Sequence, residues 1–201
     1  MSAVQRIRFS DPGQAWVPWD LDRAFEDDRL ARAVSEFEPV PTPAGWAAAR
    51  WLREDALAYH GFAVTYLALV NLKVHGFYAM CASEVEIPED QREELGLPSR
   101  RLPVALLVWL ARSAHGEVSG LELLAHAKMR AELVARVQGL AALAVDPFDE
   151  ATATLWQAPP FDFLPAEVSK DGSRRLWMPL PGRAGGPSSS VRLDDHRQPS
   201  K

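Results

Sequence analysis

Cysteine, lysine and long apolar runs are what this sequence has least of, and each shortage excludes something. One cysteine, Cys81, in 201 residues rules out an intramolecular disulfide framework and a multi-cysteine metal site, and it fits a reducing compartment. The five histidines show no H-x-x-x-H or HExxH spacing, so no metal site is expected. The two longest apolar runs, FAVTYLALV and LPVALLVWLA, are about half of what spans a bilayer. The N-terminal MSAVQRIRFSDPG carries charge without an apolar core of signal-peptide length. A cytoplasmic protein with no membrane partner is therefore expected. Lysine is limited to Lys73, Lys128, Lys170 and Lys201, and the net charge is -5. Arg100-Arg101 and Arg174-Arg175 are isolated pairs rather than a basic stripe, so nucleic acid is not expected as a partner.

What the chain has is enough apolar sequence, 47%, to bury one sizeable core. Residues 1–43 read as an N-terminal extension with a short extended segment, a helix near 20–35 and a linker, PVPTP, ending at Pro43. Residues 44–181 read as the main domain. From Gly182 the composition collapses to Gly, Pro, Ser and charge, as in a disordered tail over 182–201.

Within the main domain, Trp46, Ala49, Leu52, Ala56 and Tyr59 recur at threes and fours, which predicts a helix through Tyr59 stopped by His60-Gly61. FAVTYLALV and VHGFYAMCA form a strand pair turning at Asn71. LPVALLVWL has no alternation, so both its faces should be buried, as in a central strand. Leu124, Ala127, Ala131, Val134 and Val137 stripe a helix ended by Gly139. LAALAVD is a further strand, FDEATATLWQ a short helix, and FDFL with RRLWMPL a last hairpin. Strand 102–110, helix 119–138 and strand 140–146 make a right-handed β-α-β unit in a mixed sheet.

Three segments in this order resemble the GNAT superfamily of acetyl-CoA-dependent N-acetyltransferases, in particular its bacterial branch that includes tRNA-acetylating toxins. They are "WLREDALAYHGFAVTYLALV" with "VHGFYAMCASEVEI", "RRLPVALLVWLARSAHGEVSGLELLAHA", and "LAVDPFDEATATLWQ". The resemblance covers about residues 44–180. It implies an α+β fold with a mixed, mostly antiparallel central sheet, helices on both faces and a splayed central strand pair. It also implies acetyl-CoA as cofactor and transfer of the acyl group to an amine by direct attack. The backbone near Val108 and Leu110 would hold the pantetheine arm, and Ser119, Gly120 and Leu121 the pyrophosphate. The acceptor would be the amine of a small molecule or a protein, and a homodimer is left open.

Two positions depart from the family's pattern. The pyrophosphate loop Q/R-x-x-G-x-G/A aligns with Glu117-Val118-Ser119-Gly120-Leu121-Glu122, where only Gly120 matches and Glu122 brings a repelling carboxylate. Ser119 and Glu122 also have the S-x-x-E spacing of a capping box, which binds helix-start amides internally. Arg112 and His115 are the nearby groups able to counter a phosphate charge. The family's acid-donating tyrosine aligns with Trp156, whose indole N–H does not transfer protons in water's range, so Trp156 reads as a packing residue or lid at the catalytic position. Glu84 and Glu86 fall where the acceptor amine should arrive, although they read first as members of a solvated acidic loop with Glu89, Asp90, Glu93 and Glu94. His75 and Cys81 share one strand face but stand about 20 Å apart, so Cys81 reads as a small buried residue and not as an activated nucleophile. These departures set a second expectation beside the enzyme: a pseudoenzyme that keeps the fold as a binding or interaction module.

Overall fold

The structure, a computed structural model, describes residues 14–20, 24, 27–168, 172 and 174–181. The expected tail at 182–201 lies outside the described residues. Seven strands form one sheet in the order β1-β2-β3-β4-β5-β7-β6. They are β1 (Gln14–Trp19), β2 (Ala63–Val70), β3 (Lys73–Glu86), β4 (Arg101–Arg112), β5 (Ala142–Val145), β6 (Leu164–Pro165) and β7 (Leu176–Pro179). Among the described residues five helices accompany them: α1 (Asp28–Ser35), α2 (Pro43–Glu54), α3 (Glu89–Glu94), α4 (Gly120–Gln138) and α5 (Glu150–Gln157). Only β4 and β5 run parallel, joined by α4, as the β-α-β reading predicts.

Each element follows from local chemistry. β2 and β3 turn at Asn71 and Leu72, both with positive φ (51° and 62°), the left-handed pair a two-residue hairpin needs. β4 is buried from Val104 through Leu107 on both faces, which is why its sequence shows no alternation. Helix α2 starts one residue earlier than expected, with Pro43 in its first turn and Thr42 Oγ1 accepting from the Gly45 N–H at 3.0 Å. It stops at Glu54, earlier than the apolar spacing suggests, because residues 55–62 turn back on themselves through bonds such as Tyr59 N–H to Asp55 O. Gly139 ends α4 with φ 74°.

The described residues before Ala44 pair and pack with the rest of the sheet. β1 pairs with β2 over six register positions, from Gln14↔Val70 to Trp19↔Thr65. Leu30, Ala33, Val34 and Phe37 are buried in one cluster with Ala49 and Leu52 of α2 and Phe77 of β3. The apolar surface of α1 has no other place to go, so the PVPTP segment connects two packed helices. α4 covers the opposite face, with Leu123, Leu124, Ala127 and Ala131 against Tyr78 and Leu143. Among the described residues no helix is long and apolar enough to cross a membrane.

Candidate active site

The parallel pair at the sheet's centre separates. Register between β4 and β5 runs from Val104↔Ala142 to Leu107↔Val145 and stops there, while β4 continues to Arg112. At that point the β3–β4 ladder shifts, Ala79↔Trp109 being followed by Met80↔Leu107, which leaves Val108 as an extra residue. Such a bulge bends and twists its strand. It also changes which residues turn their backbone toward β5. Before it, the Pro103 carbonyl accepts from Ala141 N–H; after it, the Arg112 carbonyl accepts from Val40 N–H on the same side. By two-residue alternation, Leu110 then presents its N–H and C=O to that side as well.

Val40, with the Pro39↔Ser113 bridge, reseals the edge of β4 beyond Arg112. Between the two seals, Val108 to Ala111 form an open window of strand edge. A cavity of about 430 Å³ lies over it, between α2 and α5, a size ordinary for a small-molecule site. An unpaired strand edge inside a cavity is a ready partner for an extended ligand carrying amides.

The two ends of the cavity differ. At the far end of β4, about 13 Å beyond Val108 by strand rise, stand Arg112 and Gly120, the first residue of α4. Among the described residues, Arg112 is the one cationic residue in the lining. The α4 start is capped as the S-x-x-E spacing predicts: Ser119 Oγ accepts from Glu122 N–H at 3.2 Å, and Glu122 Oε2 accepts from Ser119 N–H at 2.7 Å. The Glu122 carboxylate therefore folds back onto Ser119 and is absent from the cavity lining. The capping box consumes the amides of Ser119 and Glu122. It leaves those of Gly120 and Leu121, which helix geometry gives no intrahelical acceptor. A Cβ on Gly120 would meet nothing within 4 Å, so the space beside its Cα is open.

At the β5 end lie Asp146 and, from α5, Leu155 and Trp156 with nearby Phe161. Trp156 is half-buried, with Phe161 and Phe163 edge-on to its ring at centroid distances of 5.1 Å and 5.2 Å. The chain's three tyrosines, Tyr59, Tyr66 and Tyr78, all lie outside the cavity lining. Among the described residues, Asp146 is the one acidic residue in the lining. Arg175 grips it with two bonds, Nε to Oδ1 at 2.7 Å and Nη2 to Oδ2 at 2.8 Å. The third guanidinium nitrogen of Arg175 donates to Ser83 Oγ at 2.9 Å and to the Glu84 carbonyl at 2.6 Å.

Of the residues expected from sequence, Val108, Leu110, Gly120 and Trp156 line this one cavity. Ser119 and Leu121 flank Gly120 without lining it. Glu84 and Glu86 lie outside the lining, toward the end of β3, where Glu86 stands 3.5 Å from Arg100 and 3.8 Å from Arg101. Arg112 belongs to this cavity's lining, whereas His115 lines a second cavity of about 620 Å³ with Glu36, Glu38, Glu117, Lys73 and His75. Cys81 is half-buried, and burial pushes its thiol pKa up although Arg175 pulls it down. His75 Nδ1 is occupied by Glu117 N–H at 2.9 Å. Asp146 closes the segment LAALAVD with no local signal of a site, and nothing in LAVDPFDE announces Arg175, which is 29 positions away. Among the described residues no group of three or more His, Cys, Asp or Glu could hold a metal ion.

Splayed parallel strands, a bulge at the fork and a helix start facing the gap define an acetyltransferase fold of the GNAT type. Solved structures with this fold include AtaT complexed with acetyl-methionyl-tRNAfMet. It matches with a TM-score of 0.64 and 20% identity over 83% of this chain and 94% of that one. A mutant of KacT matches at 0.62 and 18% identity, over 82% and 95% of the two chains. AtaTR bound with AcCoA matches at 0.59 and 22%, over 84% and 94%. No family model matches the chain, and no curated protein matches it.

The structural matches overturn one expectation. The acidic composition argued against nucleic acid as a partner, yet a protein of this fold is complexed with a tRNA. Net charge sums the whole surface, whereas docking depends on the charge and shape of one face.

Proposed function

We propose that this chain is an acetyl-CoA-dependent N-acyltransferase acting by direct transfer to a primary amine, with aminoacylated tRNA as acceptor. The observation that carries this reading is the open window of β4 edge, Val108 to Ala111, inside a cavity whose far end holds Arg112 and the free amides of α4. Acetyl-CoA would supply an activated thioester there. The Leu110 backbone and the bulge at Val108 suit the amides of its pantetheine arm. The Gly120 and Leu121 amides with Arg112 suit its pyrophosphate. Glu122, turned back onto Ser119, is outside the lining where that anion would sit, which weakens one of the two grounds for a pseudoenzyme.

The same lining constrains the amine. An ammonium must lose a proton before it can attack, and the described lining offers no histidine, no lysine and no carboxylate except the Arg175-bound Asp146. An α-amine is already about a tenth neutral at pH 7, whereas a lysine side chain is neutral in only about one molecule in 2,500. A cavity without a dedicated base therefore favours an α-amine. Trp156 offers no acid for the departing thiolate, so that proton comes from water.

Calorimetric titration tests the reading directly. Acetyl-CoA and coenzyme A should both bind at micromolar affinity, and acetyl transfer should be found with methionyl-tRNA but not with a lysine peptide. Absence of binding at millimolar ligand would overturn it.

A further inference from the structure

Asp146 sits where β5 ends and the strands part, one residue beyond Val145 and its partner Leu107. It lines the cavity at the fork, at the opposite end from Arg112. Its side chain is 47% exposed, but its orientation is held by a fully engaged guanidinium. Arg175, itself 22% exposed, ties Asp146 at the end of β5 to Ser83 and Glu84 of β3. Each Asp146 oxygen takes one hydrogen bond from Arg175, and each carboxylate oxygen can accept a second. What remains is a fixed pair of acceptors on the cavity wall.

We propose that Asp146, oriented by Arg175, receives the N–H groups of the amine that the acyl group is transferred to. This rests on the acyltransferase reading and adds to it the residue that recognises the acceptor. Asp146 holds the incoming ammonium by a charge-assisted hydrogen bond and leaves its proton to pass to water through the open mouth. The Asp146–Arg175 pair is neutral as a unit, so the attraction is short-range. It selects a nitrogen bearing hydrogens over a group of the same shape without them. Arg175 is the positioning residue; without it the carboxylate has no fixed direction.

Two non-transferable coenzyme A thioethers test this without knowledge of the natural acceptor. One carries a 2-aminoethyl group on sulfur and so presents an ammonium beside the fork; the other carries the isosteric propyl group. Wild-type protein should bind the aminoethyl compound about tenfold tighter, the scale of one charge-assisted bond in a half-exposed site. Asp146→Asn should erase that preference while binding the propyl compound as the wild type does. Arg175→Gln should reduce the ratio. Equal wild-type affinities for the two compounds would overturn the inference with no variant needed. Equal weakening of both compounds by Asp146→Asn would also overturn it, since a purely structural strut would behave that way. Failure of both thioethers and of coenzyme A to bind would instead sink the acyltransferase reading itself.

Discussion

Two residues carry consequences that can be measured singly. Glu122, in sequence a carboxylate placed against a phosphate, becomes in the structure half of a reciprocal cap with Ser119. Glu122→Gly should therefore lower stability by about 1 kcal/mol or more through lost capping and helix propensity, leaving coenzyme A affinity unchanged within about twofold; thermal melts and calorimetry read the two effects separately, and tighter binding would place Glu122 against the ligand after all. His126 is buried, stacked on Trp16 at 3.9 Å, and its Nδ1 shares a hydrogen bond with the Tyr78 hydroxyl at 2.7 Å. Burial, then the nearby Arg130 charge, push its pKa down from 6.5 to about 4, while burial raises that of Tyr78, so both rings are held neutral. The unfolded chain thus protonates this histidine first. Its contribution to stability is intact above pH 6.5 and is lost as the pH falls toward 4. The slope is at most about 1.4 kcal/mol per pH unit. Urea unfolding at pH 7 and pH 5 should show that loss in the wild type and a smaller one in His126→Gln.

Among the elements, β4 and α2 shape the site between them. The bulge at Val108 hands the outward-facing backbone from odd to even residues, so Leu110 N–H faces the cavity rather than the β3 ladder. Proline is tolerated where a strand N–H has no ladder partner. Leu110→Pro should thus weaken acetyl-CoA binding at least tenfold, well beyond its effect on the melting temperature; unchanged affinity would mean the ligand does not use this edge. α2 approaches the segment that reseals β4 so closely that a Cβ on Gly45 would lie 2.2 Å from the Val40 carbonyl oxygen. That neighbour is backbone and cannot rotate away. Gly45→Ala should cost about 1–3 kcal/mol by overpacking, seen as a lower denaturation midpoint.

At the scale of the molecule, the N-terminal strand and helix complete one sheet and one core. A chain beginning at Ala44 would strip β1 from β2 and uncover Leu67, Leu69 and Phe77, which share a cluster with α1 and Trp19. It should be expressed as aggregate or as a chain without a cooperative unfolding transition; a soluble, cooperatively melting fragment would show that the first 43 residues are dispensable for folding.

By itself the sequence determined most of the elements and their order. The periodicity of α4, the unalternating β4, the turn at Asn71 and the S-x-x-E cap are local patterns whose physics acts within a few residues. It also placed Val108, Leu110, Gly120 and Trp156 on one cavity, through the resemblance of three short segments to a known fold. Tertiary structure decided the rest. The bulge at Val108 exists only relative to β3, and β1 belongs to the domain only because it meets β2. The direction of the Glu122 side chain follows from the geometry of a helix start. Asp146 is the one acidic residue of the described lining because β5 ends at the fork, and Arg175 fixes its direction from across the sheet, while Glu84 and Glu86 lie outside that lining. Charge and spacing can be read along a chain, but which groups share a cavity depends on contacts between residues far apart in sequence.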